Sequence, residues 1–309
     1  MNSDEKLLTR IELLAVPTEN DCYGQNFLLK EEIGTGNIRR IVLGSLMQIM
    51  ISEYELKNDT VLSRPKDYLP EGENYVTFTF RNFRKSPAVI VSSIDMDLEI
   101  FTPANSFTSN LIITIHSSLL NDLLNIKDKG NPLNSIIIGD RPFVYEEIIS
   151  SEIQSKAILL CDVRPLVELA SFHYRVMAEE LIFLFLALFL KRGNIPTYPI
   201  NKTDVKTIYQ IREKISADLK SSPSIHQLTK YFLISESKMQ RLFKQVFGTT
   251  IHNYHQSLRI REAARLIRDE KMSISEVGYS LNYTNMSYFC RAFKKHVGLN
   301  PKKYSMKYK

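Results

Sequence analysis

Two stretches of the chain repeat one set of polar side chains at one spacing. Ser237, Arg241 and Lys244 recur fifty residues later as Ser287, Arg291 and Lys294, and Phe243 and Gly248 recur as Phe293 and Gly298. Ser235, Lys238, Gln240 and Gln245 flank the first set; Asn285, Met286, Tyr288 and Lys295 flank the second. Hydroxyl, guanidinium and ammonium donors suit phosphate oxygens, and Arg and Gln also match the edges of guanine and adenine. The chemistry these side chains offer is recognition of a polyanion.

Such residues need a rigid element behind them. Apolar residues at 239, 242, 243 and 247, and at 289, 292, 293 and 297, give the i, i+3, i+4, i+8 stripe of an amphipathic helix. A glycine follows each stripe where a left-handed C-cap is wanted. Ahead of each lies a shorter segment opened by Ser224-Ile-His-Gln227 or Ser273-Ile-Ser-Glu276, both of capping-box form. The predicted unit is a short helix, a tight turn and an amphipathic second helix: a helix-turn-helix, used twice. Two plain helical hairpins in a bundle are the competing reading, and the shared Arg-x-Phe-Lys spacing weighs against them. Between the units, Thr249 to Arg268 carries Ile251, Tyr254, Leu258, Ala263, Leu266 and Ile267 on an inner face. Twenty helical residues span about 30 Å, close to the roughly 34 Å between successive major-groove faces on one side of B-DNA. One subunit is therefore expected to read an asymmetric site of about 15 to 20 base pairs.

Residues near a groove-lying helix's N-terminus are expected on base edges and later ones on phosphates. That assigns Lys238, Gln240 and Arg241 to bases in the first unit, and Met286, Ser287 and Tyr288 in the second. The first is then a polar reader, and the second a more apolar one suited to thymine methyls. For each residue alone, a solvated or phosphate-only role is the alternative.

From Ser224 to Tyr304 the chain resembles the DNA-binding domain of AraC/XylS-type bacterial transcription regulators. The resemblance is carried by Ser235-x3-Met239-x-Arg241-x-Phe243-Lys244-x3-Gly248, by Tyr254-x4-Arg259-x3-Ala263, and by Ser287-Tyr288-Phe289-x-Arg291-x-Phe293-Lys294-x3-Gly298-x2-Pro301-x2-Tyr304. Thr229, Asn282 and Ser305 depart from the usual Ala, Gly and Arg. The resemblance implies a regulator with an N-terminal domain that senses an effector and dimerises, often a cupin-like barrel followed by helices. Its partners would be promoter double-stranded DNA, a small-molecule effector, a second copy of the chain, and RNA polymerase if it activates.

Charge divides the chain at one place. Residues 204–309 hold 20 of the 40 Lys/Arg and 8 of the 34 Asp/Glu, a balance of +12, which leaves −6 for residues 1–203 and a net +6. A basic half suggests a polyanionic partner, and an acidic half argues against the whole chain coating one. Gly193, Asn194, Pro196 and Pro199 mark a linker over 193–203. Residues 1–192 are then the sensing domain and 204–309 the DNA-binding domain. The chain as a whole reads as α+β, the first domain β-rich with trailing helices and the second all-α, two helix-turn-helix units joined by a long helix. Tyr75–Phe80, Ala88–Val91 and Leu111–Ile115 look like strands, 119–124 a short helix, and 151–192 two helices broken near Asp162 to Pro165. The long helix over 165–192 is apolar nearly all round at its end and is the candidate subunit interface; burial within its own domain is the alternative.

Other chemistry finds little support. Cys22, Cys161 and Cys290 are scattered, which gives neither a disulfide framework nor a zinc site and points to a reducing cytoplasm. His116 and His173 are far apart in the N-terminal half, and His252 and His255 stand together without further ligands. No nucleophile elbow or glycine-rich phosphate loop is present. The sequence therefore predicts no enzyme, no cofactor and no metal. The apolar run at 181–190 is too short to span a bilayer, and residues 1–5 do not open a secretory signal. A non-specific architectural DNA-binding protein, or a cupin-like enzyme with a DNA-localising domain, stay open as alternatives.

Overall fold

The computed structural model describes residues 14–19, 23–62, 74–84, 88–94, 96, 98, 100–128, 130–137, 141–193, 197–221 and 223–308. The chain divides into two compact units, Met1–Lys202 and Thr203–Lys309. Of the expected linker, 194–196 lie outside the described residues.

The first unit is built on antiparallel strands. They are β1 (Ala15–Pro17), β2 (Gln25–Leu29), β3 (Gly34–Val42), β4 (Met47–Leu56), β5 (Thr60–Leu62), β6 (Tyr75–Arg81), β7 (Ala88–Ser93), β8 (Ile100–Thr102), β9 (Thr108–His116) and β10 (Val144–Ile148). Eight make one sheet in the order β1-β2-β3-β4-β9-β6-β7-β10, and β5 pairs with β8. Among the described residues β1 and β10 remain edges, so the expected barrel is not closed by hydrogen bonds. β6 shows why the sheet forms. Its Val76, Phe78 and Phe80 point one way and Thr77 and Thr79 the other, as the two-residue period of a strand requires. Both faces are buried. The expected strands at 75–80, 88–91 and 111–115 are present. β1, β2, β3 and β4 extend the sheet ahead of these, with β3 and β4 pairing over Gly34–Val42 and Met47–Leu56.

Helices α1 (Ser117–Leu124), α2 (Asn134–Ile137), α3 (Ser151–Asp162) and α4 (Ala170–Leu190) complete this unit. α3 stops at Asp162, and a 3-10 turn at Val167–Leu169 precedes α4. The all-round apolar character of α4 is explained on one side by the sheet. Tyr174, Ala178, Leu181 and Phe185 pack onto Phe78, Val91 and Ile113, with the Phe78 and Phe185 rings 5.6 Å apart. On the other side Leu169, Phe172, Val176, Phe183 and Leu190 are exposed. At the end of α4, Arg192 pairs with Glu147 of β10 and lies over the rings of Tyr145 and Phe189, fixing the helix where the linker begins. Burial pushes the Glu147 carboxyl up, against the pull of Arg192.

The second unit is helical: α5 (Lys202–Ala217), α6 (Ile225–Phe232), α7 (Glu236–Phe247), α8 (Ile251–Arg268), α9 (Ile274–Ser280), α10 (Met286–Val297) and α11 (Pro301–Lys307). Val205, Ile208, Ile211 and Ile215 form the buried face of α5. Tyr209 of that helix meets Phe247 of α7, and Phe243 of α7 meets Tyr254 of α8. Farther along α8, Ile260, Ala263 and Ile267 share a second core with Val277, Phe289, Phe293 and Tyr304. One rod thus serves both halves, and its 18 residues span about 27 Å.

Candidate nucleic-acid interface

Each half holds its second helix in the same way. Ser224 caps α6 and Ser273 caps α9, both through reciprocal bonds with the residue three positions on, Gln227 and Glu276. The turn then needs one residue at positive φ. Leu233 supplies it in the first unit (φ 51) and Asn282 in the second (φ 60). Asn is the usual non-glycine choice there; Leu is not. Ser235 caps α7 by accepting from the Lys238 amide at 3.4 Å, and Asn285 caps α10 by accepting from the Tyr288 amide at 3.0 Å. Gly248 and Gly298 close the two helices in left-handed conformation. Caps and turns repeat at 49 residues, but α7 and α10 repeat at 50, so the second turn holds one residue more.

The repeated polar row is presented alike on both second helices. Ser237, Arg241 and Lys244 lie at i, i+4 and i+7 of α7 and are exposed; Ser287, Arg291 and Lys294 do the same on α10. Gln240 is exposed beside the first row and donates to Glu236 at 2.8 Å. Lys295 is exposed beside the second. These two faces are where a polyanion can be met.

Three predicted site residues lie elsewhere. Gln245 is buried, with only 3% of its surface accessible, so it cannot reach a groove. It shares the row Lys238–Leu242–Gln245, one helical step round from the exposed row, and that row is turned inward. At its outer end Lys238 is half-buried and pairs with Asp204 of α5 at 2.7 Å, directed sideways and not outward. Met286 belongs to the row Met286–Phe289–Phe293, whose other members are fully buried. Its thioether lies against Gly278 of α9, where even a Cβ would stand 2.6 Å from the Sδ. The contrast of a polar first helix and an apolar second one therefore weakens: Met286 is partly buried and packs against the second core.

Two anchoring contacts escaped the sequence reading. Gln256 of α8 donates to the Tyr288 hydroxyl at 2.5 Å, and the Tyr288 ring lies 6.2 Å from that of Tyr283. The Arg259 guanidinium sits 3.9 Å over the Tyr283 ring and donates to the Leu281 carbonyl, clamping the second turn. Periodicity marks Gln256 and Arg259 only as polar residues on a long helix. Asn300 caps α11, and Pro301 opens the helix where a missing N–H costs nothing. Among the described residues no three His, Cys, Asp or Glu side chains are grouped to hold a metal, and no helix is long and apolar enough to cross a membrane.

Residues 228–307 match the family model described as a helix-turn-helix domain. The HTH-type transcriptional activator RhaR of Cronobacter sakazakii is 27% identical over 124 residues, 40% of this chain and 44% of that protein. The arabinose operon regulatory protein of Escherichia coli K12 is 29% identical over 84 residues, 27% of this chain and 29% of that protein. The chain thus spans less than half the length of these relatives. A crystal structure of an AraC-type DNA-binding transcriptional regulator from Chromobacterium violaceum is similar at TM-score 0.32 and 22% identity, covering 34% of this chain and 95% of that one.

Proposed function

We propose that the chain, whose residues 228–307 match a helix-turn-helix family model, is a sequence-specific DNA-binding transcription regulator of the AraC type, controlled by an effector at its N-terminal domain. The carrying observation is the twin rows Ser237–Arg241–Lys244 and Ser287–Arg291–Lys294, both exposed and both on second helices capped alike. The α8 rod gives a separation suited to adjacent major-groove turns. The division of labour is the one the charge suggests: 1–192 for sensing and dimerising, 193–203 as linker, 204–309 for DNA. Ser235, Asn285, Gln240, Tyr288 and Lys295 border the reading faces.

Relatives bearing regulator names favour a non-enzymatic role in the cytoplasm. The name of the Cronobacter relative favours activation, and so contact with RNA polymerase. For the effector, the inner sheet face around Thr77, Thr79, Ser92 and Asn110 is buried and rich in hydroxyl and amide groups. Among the described residues the Thr79 hydroxyl has no hydrogen-bond partner, an arrangement that suits a small neutral polar ligand. For the subunit interface, Val176, Phe183 and Leu190 on the open face of α4 are spaced by seven, with Phe172 one turn before the first, a spacing that suits packing against a second helix.

The test is protection of the DNA flanking the protein's own gene. Simultaneous Arg241→Glu and Lys244→Glu should abolish the footprint; retained protection would remove α7 from the interface. Equal affinity for that fragment and random DNA at physiological salt would favour the architectural alternative.

A further inference from the structure

Position 238 of α7 and position 288 of α10 correspond in the repeat. At both, the side chain is held by a neighbouring helix of its own half: Lys238 by Asp204 of α5, Tyr288 by Gln256 of α8. The Lys238 ammonium is 2.7 Å from the Asp204 carboxylate, which keeps 14% of its side-chain surface exposed against 43% for the lysine. Lys238 stands on the same row as Leu242 and Gln245, both buried, so its stem starts from the flank of α7 that α5 covers and not from the exposed row. Asp204 is fixed in the first turn of α5, where the positive end of the helix dipole favours its charge.

We infer that Asp204 withholds Lys238 from DNA, so that this position anchors α7 to α5 and sets how many positive charges the first reading face delivers. The inference rests on the proposed DNA-binding function. Among the described residues 236–247 of α7, the exposed cations are Arg241 and Lys244. Because Asp204 stands in the first turn of α5, which begins at Lys202, the pair also ties the entry of α5 to the first recognition helix. Displacing that turn would release a lysine beside the groove.

Counting cations by salt dependence tests this. Each phosphate neutralised contributes about 0.9 to the slope of log affinity against log salt, or about 3.5-fold in affinity between 50 and 200 mM salt. The full chain and the DNA fragment protected in the footprint are the components. Lys238→Met should leave the slope unchanged. Asp204→Asn should steepen it by about 0.9, and the double variant should return to the wild-type slope. The double variant separates release of Lys238 from simple loss of a negative charge near DNA. A slope shallower by about 0.9 in Lys238→Met alone would show the lysine already on a phosphate and overturn the inference. So would an undiminished effect of Asp204→Asn in the Lys238→Met background. Should Asp204→Asn fail to fold, Lys238→Met decides alone, since its side chain is half-exposed. Failure of the underlying reading shows differently: binding would then survive Arg241→Glu with Lys244→Glu.

Discussion

Replacing Leu233 by Asn should stabilise the protein, and the molecule carries its own control. The two units close their first helices with one residue in left-handed conformation, Leu233 at φ 51 and Asn282 at φ 60. A branched side chain in that region costs roughly 1–2 kcal/mol, whereas Asn occupies it with local hydrogen-bonding support. Little is lost in exchange. Leu233 is 93% exposed, and its backbone N–H, which donates to the Thr229 carbonyl, is kept by any residue but proline. At about 1.5–3 kcal/mol for a fully buried leucine, the small covered fraction contributes at most about 0.2 kcal/mol. The net gain for Leu233→Asn is then about 0.5–1 kcal/mol. Leu233→Gly should gain less, because glycine adds about 0.5–1 kcal/mol of chain entropy to the unfolded state. For a unit of this size the Asn variant should melt about 2–6 °C higher. Calorimetry of the full chain, following the transition of the C-terminal unit, gives the number. A lower or unchanged melting temperature would refute the reasoning, by showing that the leucine side chain contributes packing its exposure does not reveal.

Two further outcomes follow from caps and seams. The capping boxes differ in one charge, Gln227 on α6 and Glu276 on α9; hydrogen bonds from the Ser273 hydroxyl and then its amide hold the Glu276 carboxyl below its ordinary value. Its stabilisation is present above the unfolded value of about 4.3 and disappears as pH falls through the lower folded value. Amide exchange should therefore show the start of α9 loosening in acid before that of α6, and Glu276→Gln should remove the difference; simultaneous loosening in the wild-type chain would contradict it. In the N-terminal unit, Phe183 is 64% exposed on the α4 face proposed as the subunit interface, where burial in a twofold dimer would contribute about 1–2 kcal/mol per protomer. Phe183→Ala should then weaken dimers by about 30- to 1,000-fold in sedimentation equilibrium without lowering the monomer's stability; an unchanged dissociation constant would place the interface elsewhere.

The helical half was legible because its signals are local. Capping boxes, closing glycines and the apolar stripe each report on a few neighbouring residues, and all agree on the same helices. The exposed rows follow directly, since Phe243 and Phe293 fix which side is in. Gln245, Lys238 and Met286 were misplaced for one reason. Each borders an apolar stripe, and only the neighbouring helix decides whether the border is covered. α5 covers the side of Lys238 and Gln245, and Gly278 on α9 makes room for Met286. No period within α7 or α10 carries that information. In the N-terminal unit, strand segments were visible where Val, Ile and Phe alternate with Thr. β3, with Gly34, Gly36 and Asn37, reads as a turn until its pairing with β4 is known. The α4 helix was visible in extent but not in orientation, because its apolar residues lie on every side and only the sheet selects the inner one.

The contact between Gly278 and Met286 sets a clearance in the second unit. No methyl fits between the α9 backbone and the thioether that follows the cap of α10. A methyl at 278 would meet the far end of the Met286 side chain, which can turn aside, so the thioether repacks while Ser287, Arg291 and Lys294 stay chemically untouched. The seat of the second helix against α9 is therefore cushioned by a flexible thioether and not set by a rigid contact.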